Sequence, residues 1–360
     1  MKINLIGDLK TVMSNPYSIH NYFGWPTVKW LKDGKIAVGA SGFRLTHVCP
    51  FGKGVISFSD DGGETFTAPT PIIDTALDDR DSGLCPFGDS GLIFTSFNNS
   101  VEFQRKWNQK RPESPRRAYI DAYLDNVTKE AEEKSLGVTF RISNDNGTSF
   151  GPILKSPIPS PHGPIELRDG SILWVGTSYK TGNTILAYKL DAADGKMEKI
   201  GEVDTQNIKD LGRFPCEPYA IELDDGTIIC HIRSDRYGES PAFTLYQTES
   251  YDGGKTWTTP HQLLSDRGGA PSHILKHSSG ALIATYGYRT LPYGIKAMFS
   301  YDGGKSWSEG EYLYSNDISG DLGYPSTIEF PDGSLITVFY ARHDNADEAL
   351  IFGQRWNFEV

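Results

Sequence analysis

The sequence predicts an all-β fold, a six-bladed β-propeller, on three observations. Gly-containing turn signals recur six times at near-constant spacing, and a second turn motif recurs four times. The third observation is a composition that suits packed strands: 38 Gly, 21 Pro and 12% aromatic residues with only four Met in 360 residues.

The first signal is a dipeptide ending in Gly, followed by an apolar run. It stands at Asp33-Gly34, Ser90-Gly91, Asp169-Gly170, Asp225-Gly226, Ser279-Gly280 and Asp332-Gly333. The Gly-to-Gly steps are 57, 79, 56, 54 and 53 residues. Gly tolerates the positive φ of a tight turn, so each dipeptide marks a hairpin. The second signal is S-x-D-x-G-x-x-W/F, at Ser59–Phe66, Ser143–Phe150, Ser250–Trp257 and Ser300–Trp307. Its Asp is placed to accept bonds from the turn's own N–H groups and its aromatic ring to plug the core, which makes the motif structural. Six units of about 55 residues then form one domain over 1–360, where length alone suggests about two. Blade 3 lacks the second motif, and Asp194-Gly195 stands near its place. Blade 6 runs out of chain after a strand at Leu350–Arg355, so the apolar stretch Ile3–Ile6 is expected to supply the missing strand and close the ring.

The 79-residue step marks an insertion in blade 2, over 98–137. Its residues 105–117 carry six Arg or Lys against one Glu. Tyr119, Ile120, Tyr123, Leu124 and Val127 are spaced for one helical face, and Thr128 is placed to cap a further turn. The insertion is expected to be partly helical. It either packs on the rim, covers the site or makes a subunit contact.

The net charge of −11, without a long basic run, speaks against nucleic acid as a partner. No stretch approaches 18 apolar residues, so no membrane span is expected. Asn4, Asp8 and Lys10 interrupt any apolar leader, and Cys49, Cys85, Cys216 and Cys230 show no C-x-x-C spacing. A cytoplasmic location with buried free thiols is therefore expected. Among eight His there is no H-E-x-x-H or comparable spacing, so neither a metal nor another cofactor is expected. Nothing in the sequence fixes the oligomeric state.

Strand alternation puts both turn motifs on one face of the disc. The other face receives His20, Arg44 and His47 from blade 1, and Asp78, Asp79, Arg80 and Asp81 at the start of blade 2. Later blades add His162, Glu217, Arg233, Asp235, Arg267, His273, Arg289, Tyr324, Arg342 and His343. Such a mixed cluster fits an enzyme acting on an anionic substrate.

Several stretches carry a family resemblance. They are Cys216-Glu217-Pro218, Arg233 after the next strand, Arg289 eleven residues before Ser300, and Gly323-Tyr324-Pro325-Ser326. Ser160-Pro161-His162-Gly163-Pro164 follows the same pattern at the start of blade 3. With the four S-x-D-x-G repeats, the chain resembles the sialidase (neuraminidase) superfamily, whose repeat is the Asp box. The resemblance implies an exo-acting, retaining glycosidase that releases a terminal acidic sugar, sialic acid favoured, from a glycan or sialoside. It implies Tyr324 as nucleophile, Glu217 as the base that activates it, and Arg233 with Arg289 on a substrate carboxylate. Arg44 or Arg342 is then the candidate third arginine, with His162 and Arg267 as further substrate contacts. The family's R-I-P arginine is replaced by Gly24-Trp25-Pro26, its brace in blade 6 by Ala341, and its acid/base Asp by His47. Asp79 and Asp81 are alternative acids. Two other readings stay open: a glycosidase or lyase on a different sugar using His47 with Asp79 and Asp81, and a glycan-binding propeller without catalysis.

Overall fold

Each Gly dipeptide closes a hairpin between an innermost strand and its neighbour, each S-x-D-x-G motif links the third strand of its blade to the fourth, and the strands assemble into six antiparallel sheets of four. The computed structural model describes residues 2–236, 243–264, 268–315, 317–342 and 348–359. Arg267 and His343 lie outside the described residues. The innermost strands are Tyr22–Trp30, Leu84–Phe87, Ile165–Glu166, Phe214–Glu222, Gly269–Lys276 and Gly323–Glu329. In blade 6 the order runs from Gly323–Glu329 through Leu335–Ala341 and Leu350–Glu359 to the N-terminal strand Lys2–Met13. That last pairing extends the expected Ile3–Ile6 closure. It starts at Lys2 opposite Glu359 and ends at Met13 opposite Ile351, with a register shift between Ile6 and Lys10. In blade 3 the fourth strand, Met197–Val203, follows directly after the turn at Asp194-Gly195.

Neighbouring blades are joined by apolar clusters, each built from the facing sides of two sheets. Val28, Ile36 and Val38 of blade 1 meet Ile336, Val338 and Ile351 of blade 6. Ile56 and Ile73 meet Leu84 and Phe94 across blades 1 and 2. Propeller sheets are covered on both faces in this way, which explains strands that read as continuous apolar runs.

The four repeats of the second motif behave as structural turns. In each, the Ser hydroxyl accepts from the Gly N–H at 2.8–2.9 Å. The Asp carboxylate takes the N–H of Thr65, Ser149, Thr256 or Ser306 at 2.8–2.9 Å. Those bonds from side chains and backbone hold all four carboxyls below their ordinary pKa range, as fixed acceptors.

The insertion forms three helices, α1 (Val101–Gln109), α2 (Pro115–Asn126) and α3 (Lys129–Ser135). Ser100, Ser114 and Thr128 cap them, each accepting an N–H from the first turn. The face read from the sequence packs as expected: Ile120 and Leu124 bury against Leu45 and Cys49 of blade 1. All four cysteines are buried free thiols. No helix among the described residues is long and apolar enough to cross a membrane.

Candidate functional site

One local device recurs in the innermost strands of four blades. The pairing of innermost strands with their neighbours breaks at Gly24/Thr27, Cys216/Tyr219, Gly269/Ser272 and Gly323/Ser326. Within these bulges Trp25, Glu217 and Tyr324 adopt φ of 56°, 47° and 49°, and Asp81 at the start of blade 2 adopts 49°. A left-handed backbone at a non-Gly residue costs about 1–3 kcal/mol and clusters at functional sites. Pro26, Pro218 and Pro325 follow three of these residues. Proline has no N–H to leave unpaired where the ladder is interrupted. The sequence thus spends strain and proline at matching positions around the ring.

Two of these bulges bring Tyr324 and Glu217 together. The Tyr324 hydroxyl donates to Glu217 Oε1 at 2.6 Å. Arg233 Nη1 donates to Glu217 Oε2 at 2.6 Å and to the Tyr324 oxygen at 3.1 Å. Burial, then the Glu217 charge, pushes the phenol well above its ordinary pKa. It therefore stays protonated at neutral pH. Arg289 lies over the same ring, 5.8 Å from its centroid.

Arg233 is braced by three side chains of the protein. Its Nε and Nη2 reach the two oxygens of Asp235 at 2.7 and 2.9 Å, in addition to the Nη1 bonds. The Nη1 bonds orient Glu217 and Tyr324 against one another. Arg44 corrects the expectation more sharply. Fully buried, it pairs with Asp78 at 2.5 Å and donates to Ser41 Oγ and the carbonyls of Thr46, Asp79 and His47. A substrate carboxylate has no route to it. Arg342 is tied to Asp321 at 2.7 Å.

Arg80, in the sequence only one charge among several, is held by Asp78 at 3.3 Å and by the His47 carbonyl at 2.8 Å. Its guanidinium lies 4.0 Å over the ring of Trp25, sharing that ring with Arg44 at 4.8 Å. Trp25 is 1% exposed and forms the floor between Tyr22, Tyr340, Tyr324 and His47. The indole thus replaces a charged anchor with a platform that carries two guanidinium groups.

His47 borders this floor. Its Nδ1 lies 2.8 Å from Asp321 Oδ1, and Arg80 Nη2 lies 3.4 Å from its Nε2. Tyr22 and Arg342 hold the other Asp321 oxygen at 2.9 and 2.7 Å. Asp321 therefore orients the imidazole and supports its charged form. Burial outweighs that support, and the His47 pKa is lowered from its ordinary value. Asp321 was missed in the sequence. It lies in the connection into blade 6, three residues before Tyr324, and a census of carboxylates on every inter-blade connection finds it.

The two aspartate alternatives separate. Asp79 accepts from Thr75 N and Oγ1 at 2.6 and 2.9 Å and from Asn98 at 3.2 Å. It braces the root of the insertion, which removes it from the candidate acids. Asp81 is buried beside Glu217, Arg80 and Arg233, and its Oδ1 has no hydrogen-bond partner. Burial and the Glu217 charge push its pKa up to about 7. His162 is also displaced from the expected role. It lies a layer below, fully buried, with Nδ1 3.0 Å from Thr27 Oγ1 and its ring 5.3 Å from His273. Burial brings its pKa down to about 3, so it is a neutral packing group.

Among the described residues no group of three or more His, Cys, Asp or Glu is placed to hold a metal ion. A cleft of about 540 Å³ opens beside His47 and Arg80, between helix α1 and blades 2 and 3.

A model of the BNR repeat-like domain matches residues 126–337. The chain belongs to that family. Among solved structures, a protein of unknown function from Dyadobacter fermentans is similar over 99% of both chains, with a TM-score of 0.77 and 19% identity. The NanB sialidase of Streptococcus pneumoniae is similar over 98% of this chain and 71% of its own, at TM-score 0.67 and 12% identity. An α-L-arabinofuranosidase from Fusarium graminearum is similar over 97% and 98%, at TM-score 0.61 and 12% identity. At such identities the likeness is one of fold. No curated protein matches the chain in sequence. This BNR chain is a sialidase-like propeller, the kind of scaffold on which those glycoside hydrolases are built.

Proposed function

We propose that this BNR propeller is an exo-acting, retaining glycoside hydrolase that releases a terminal acidic sugar, sialic acid favoured, with Tyr324 as nucleophile. The observation that carries the reading is the 2.6 Å bond from the Tyr324 hydroxyl to Glu217 Oε1. A free phenol, of pKa about 10, is a weak nucleophile. In the first step Tyr324 Oη attacks the anomeric carbon as its proton passes to Glu217. The imidazolium of His47 gives a proton to the leaving oxygen, and the glycosidic C–O bond breaks. In the second step neutral His47 takes a proton from water, which displaces Tyr324, and the phenol recovers its proton from Glu217. Arg233 stabilises the phenolate character that develops on Tyr324.

A neutral nucleophile avoids repulsion from a carboxylate on the sugar, which supports an acidic substrate. Arg289 and Arg80 then take the carboxylate, in place of Arg233, Arg44 and Arg342. Trp25 supports a second reading, a glycosidase acting on a sugar without a carboxylate, because an apolar platform occupies the place of the family's arginine. A panel of chromogenic glycosides, a sialoside and an arabinofuranoside among them, separates the two. Cleavage of the sialoside with retention supports the first reading. Cleavage of a neutral glycoside alone supports the second, and saturable glycan binding with no product from any member overturns both.

A further inference from the structure

The cleft beside His47 is not needed to hold Tyr324, Glu217 or Arg233, and its walls differ from theirs. Trp107 and Phe103 of helix α1, Tyr179 of blade 3, and Pro157 and Pro159 line it. The three aromatic side chains are 38, 43 and 51% exposed, an unusual concentration of accessible rings around one opening. Trp107 stacks near His47, with ring centroids 6.2 Å apart and planes 24° from parallel, and Phe103 stacks on Trp107 at 6.2 Å. The charged groups on the lining are Arg80 and Lys180, and no carboxylate is among them. Helix α1 comes from the insertion, so this wall is added to the propeller.

Direction follows from the chemistry. In a retaining mechanism the acid protonates the oxygen of the departing group, while the nucleophile attacks the other face of the anomeric carbon. His47 lines the cleft and Tyr324 does not, so whatever occupies the cleft is on the departing side. We propose that the cleft is the leaving-group subsite, and that it selects a neutral or anionic group with a flat apolar face, stacked on Trp107. Both an aryl ring and the C–H face of a pyranose present that surface. The proposal rests on the hydrolase reading above.

The test uses substrates that share one cleaved sugar and differ in the group released: methanol, phenol or galactose. Because Trp107 stacks near His47, the readout is a ratio of kcat/KM between substrates: damage to acid catalysis raises the phenyl-to-methyl ratio, so a fall in it reports the subsite. In Trp107→Ala the phenyl-to-methyl ratio is expected to fall at least tenfold, with a smaller fall in Phe103→Ala and recovery in Trp107→Phe. A parallel fall in the galactosyl-to-methyl ratio identifies a sugar as the natural group, and a fall for phenyl alone identifies an aryl group. Equal losses on all three substrates overturn the subsite. Titration calorimetry with phenyl β-D-galactoside separates the two layers of the argument. If the wild type cleaves no glycoside yet binds this probe and Trp107→Ala does not, the cleft stands as a binding site for an apolar face, and the hydrolase reading falls together with the leaving-group role. If the wild type cleaves glycosides but neither the ratios nor the binding respond to Trp107, the subsite falls alone.

Discussion

Asp321 touches His47, Tyr22, Tyr340 and Arg342 at once, and its replacement separates positioning from folding. In Asp321→Asn the imidazole loses the partner that supports its charged form. The turnover rate is expected to fall by roughly 10² or more, by analogy with the oriented histidine of a Ser-His-Asp triad. The His47 pKa moves further down, so the alkaline limb of the kcat/KM profile shifts to lower pH. A fall in rate with an unmoved limb contradicts the role. The wild-type profile follows from the same groups. The proposed mechanism needs His47 protonated and Glu217 ionised, and His47 sits below its ordinary value, so activity is expected to be lost as pH rises through a point below about 6.5. His47→Ala is expected to retain far more activity on a substrate with a good leaving group than on a methyl glycoside. Arg44 gives the opposite pattern. Removing it takes from the buried Asp78 its closest cation and leaves Arg80 and the Cys49 N–H at 3.3 and 3.2 Å, so Arg44→Ala is expected to cost about 3 kcal/mol of stability, read by denaturant unfolding. A well-folded variant with raised KM contradicts the structural assignment. Tyr324, Glu217 and Arg233 were legible because each lies in a recognisable segment. Arg80, Asp321 and Trp107 were not, since their role comes from meeting residues of other blades around Trp25.

The bulges at the starts of the innermost strands set function against stability. Asp81 combines φ of 49°, burial and an unpartnered oxygen. Its pKa is about 7 in the fold against about 3.9 in an unfolded chain. The folded state therefore holds a proton that the unfolded state has released between those values, and stability falls as pH rises through that window. In Asp81→Asn the ionisation is gone, while Asn tolerates the left-handed backbone. The melting temperature is expected to be higher than wild type at pH 8, with a smaller difference between pH 5 and pH 8. An unchanged pH slope assigns the effect to another group. In the insertion, the helical face of α2 was readable from the 3.6-residue period, because Ile120 and Leu124 bury against a single surface. Helix α1 was not readable as a wall of the site. Its aromatic residues face an open cleft, and spacing does not reveal what a half-exposed ring looks onto.

At the scale of the molecule the ring is closed by one antiparallel pairing between the two ends of the described chain, Lys2–Met13 against Leu350–Glu359. Propeller blades share their apolar clusters with both neighbours, so opening this pairing exposes the flank of blade 6 and weakens the contact of blade 1 with it. Deletion of residues 1–13 is expected to lower the melting temperature by well over 10 °C and to broaden the transition. A truncated chain that melts like the full one contradicts closure by this strand. The ring was legible because its period comes from turn chemistry, six Gly dipeptides and four Ser/Asp turns, which is local in sequence. The choice of substrate was not, because it depends on which arginines the protein itself neutralises. Asp235 holds Arg233 at 2.7 Å, and Asp78 holds Arg44 at 2.5 Å but Arg80 only at 3.3 Å.

The claim on which the rest depends is that Tyr324 forms a bond to the sugar. A fluorinated glycosyl fluoride, carrying whichever sugar the glycoside panel identifies, slows release of that intermediate and allows intact and peptide mass spectrometry. The account predicts one added glycosyl group, located on Tyr324, and none in Tyr324→Phe. A label on an aspartate or glutamate, or steady turnover by Tyr324→Phe, contradicts it.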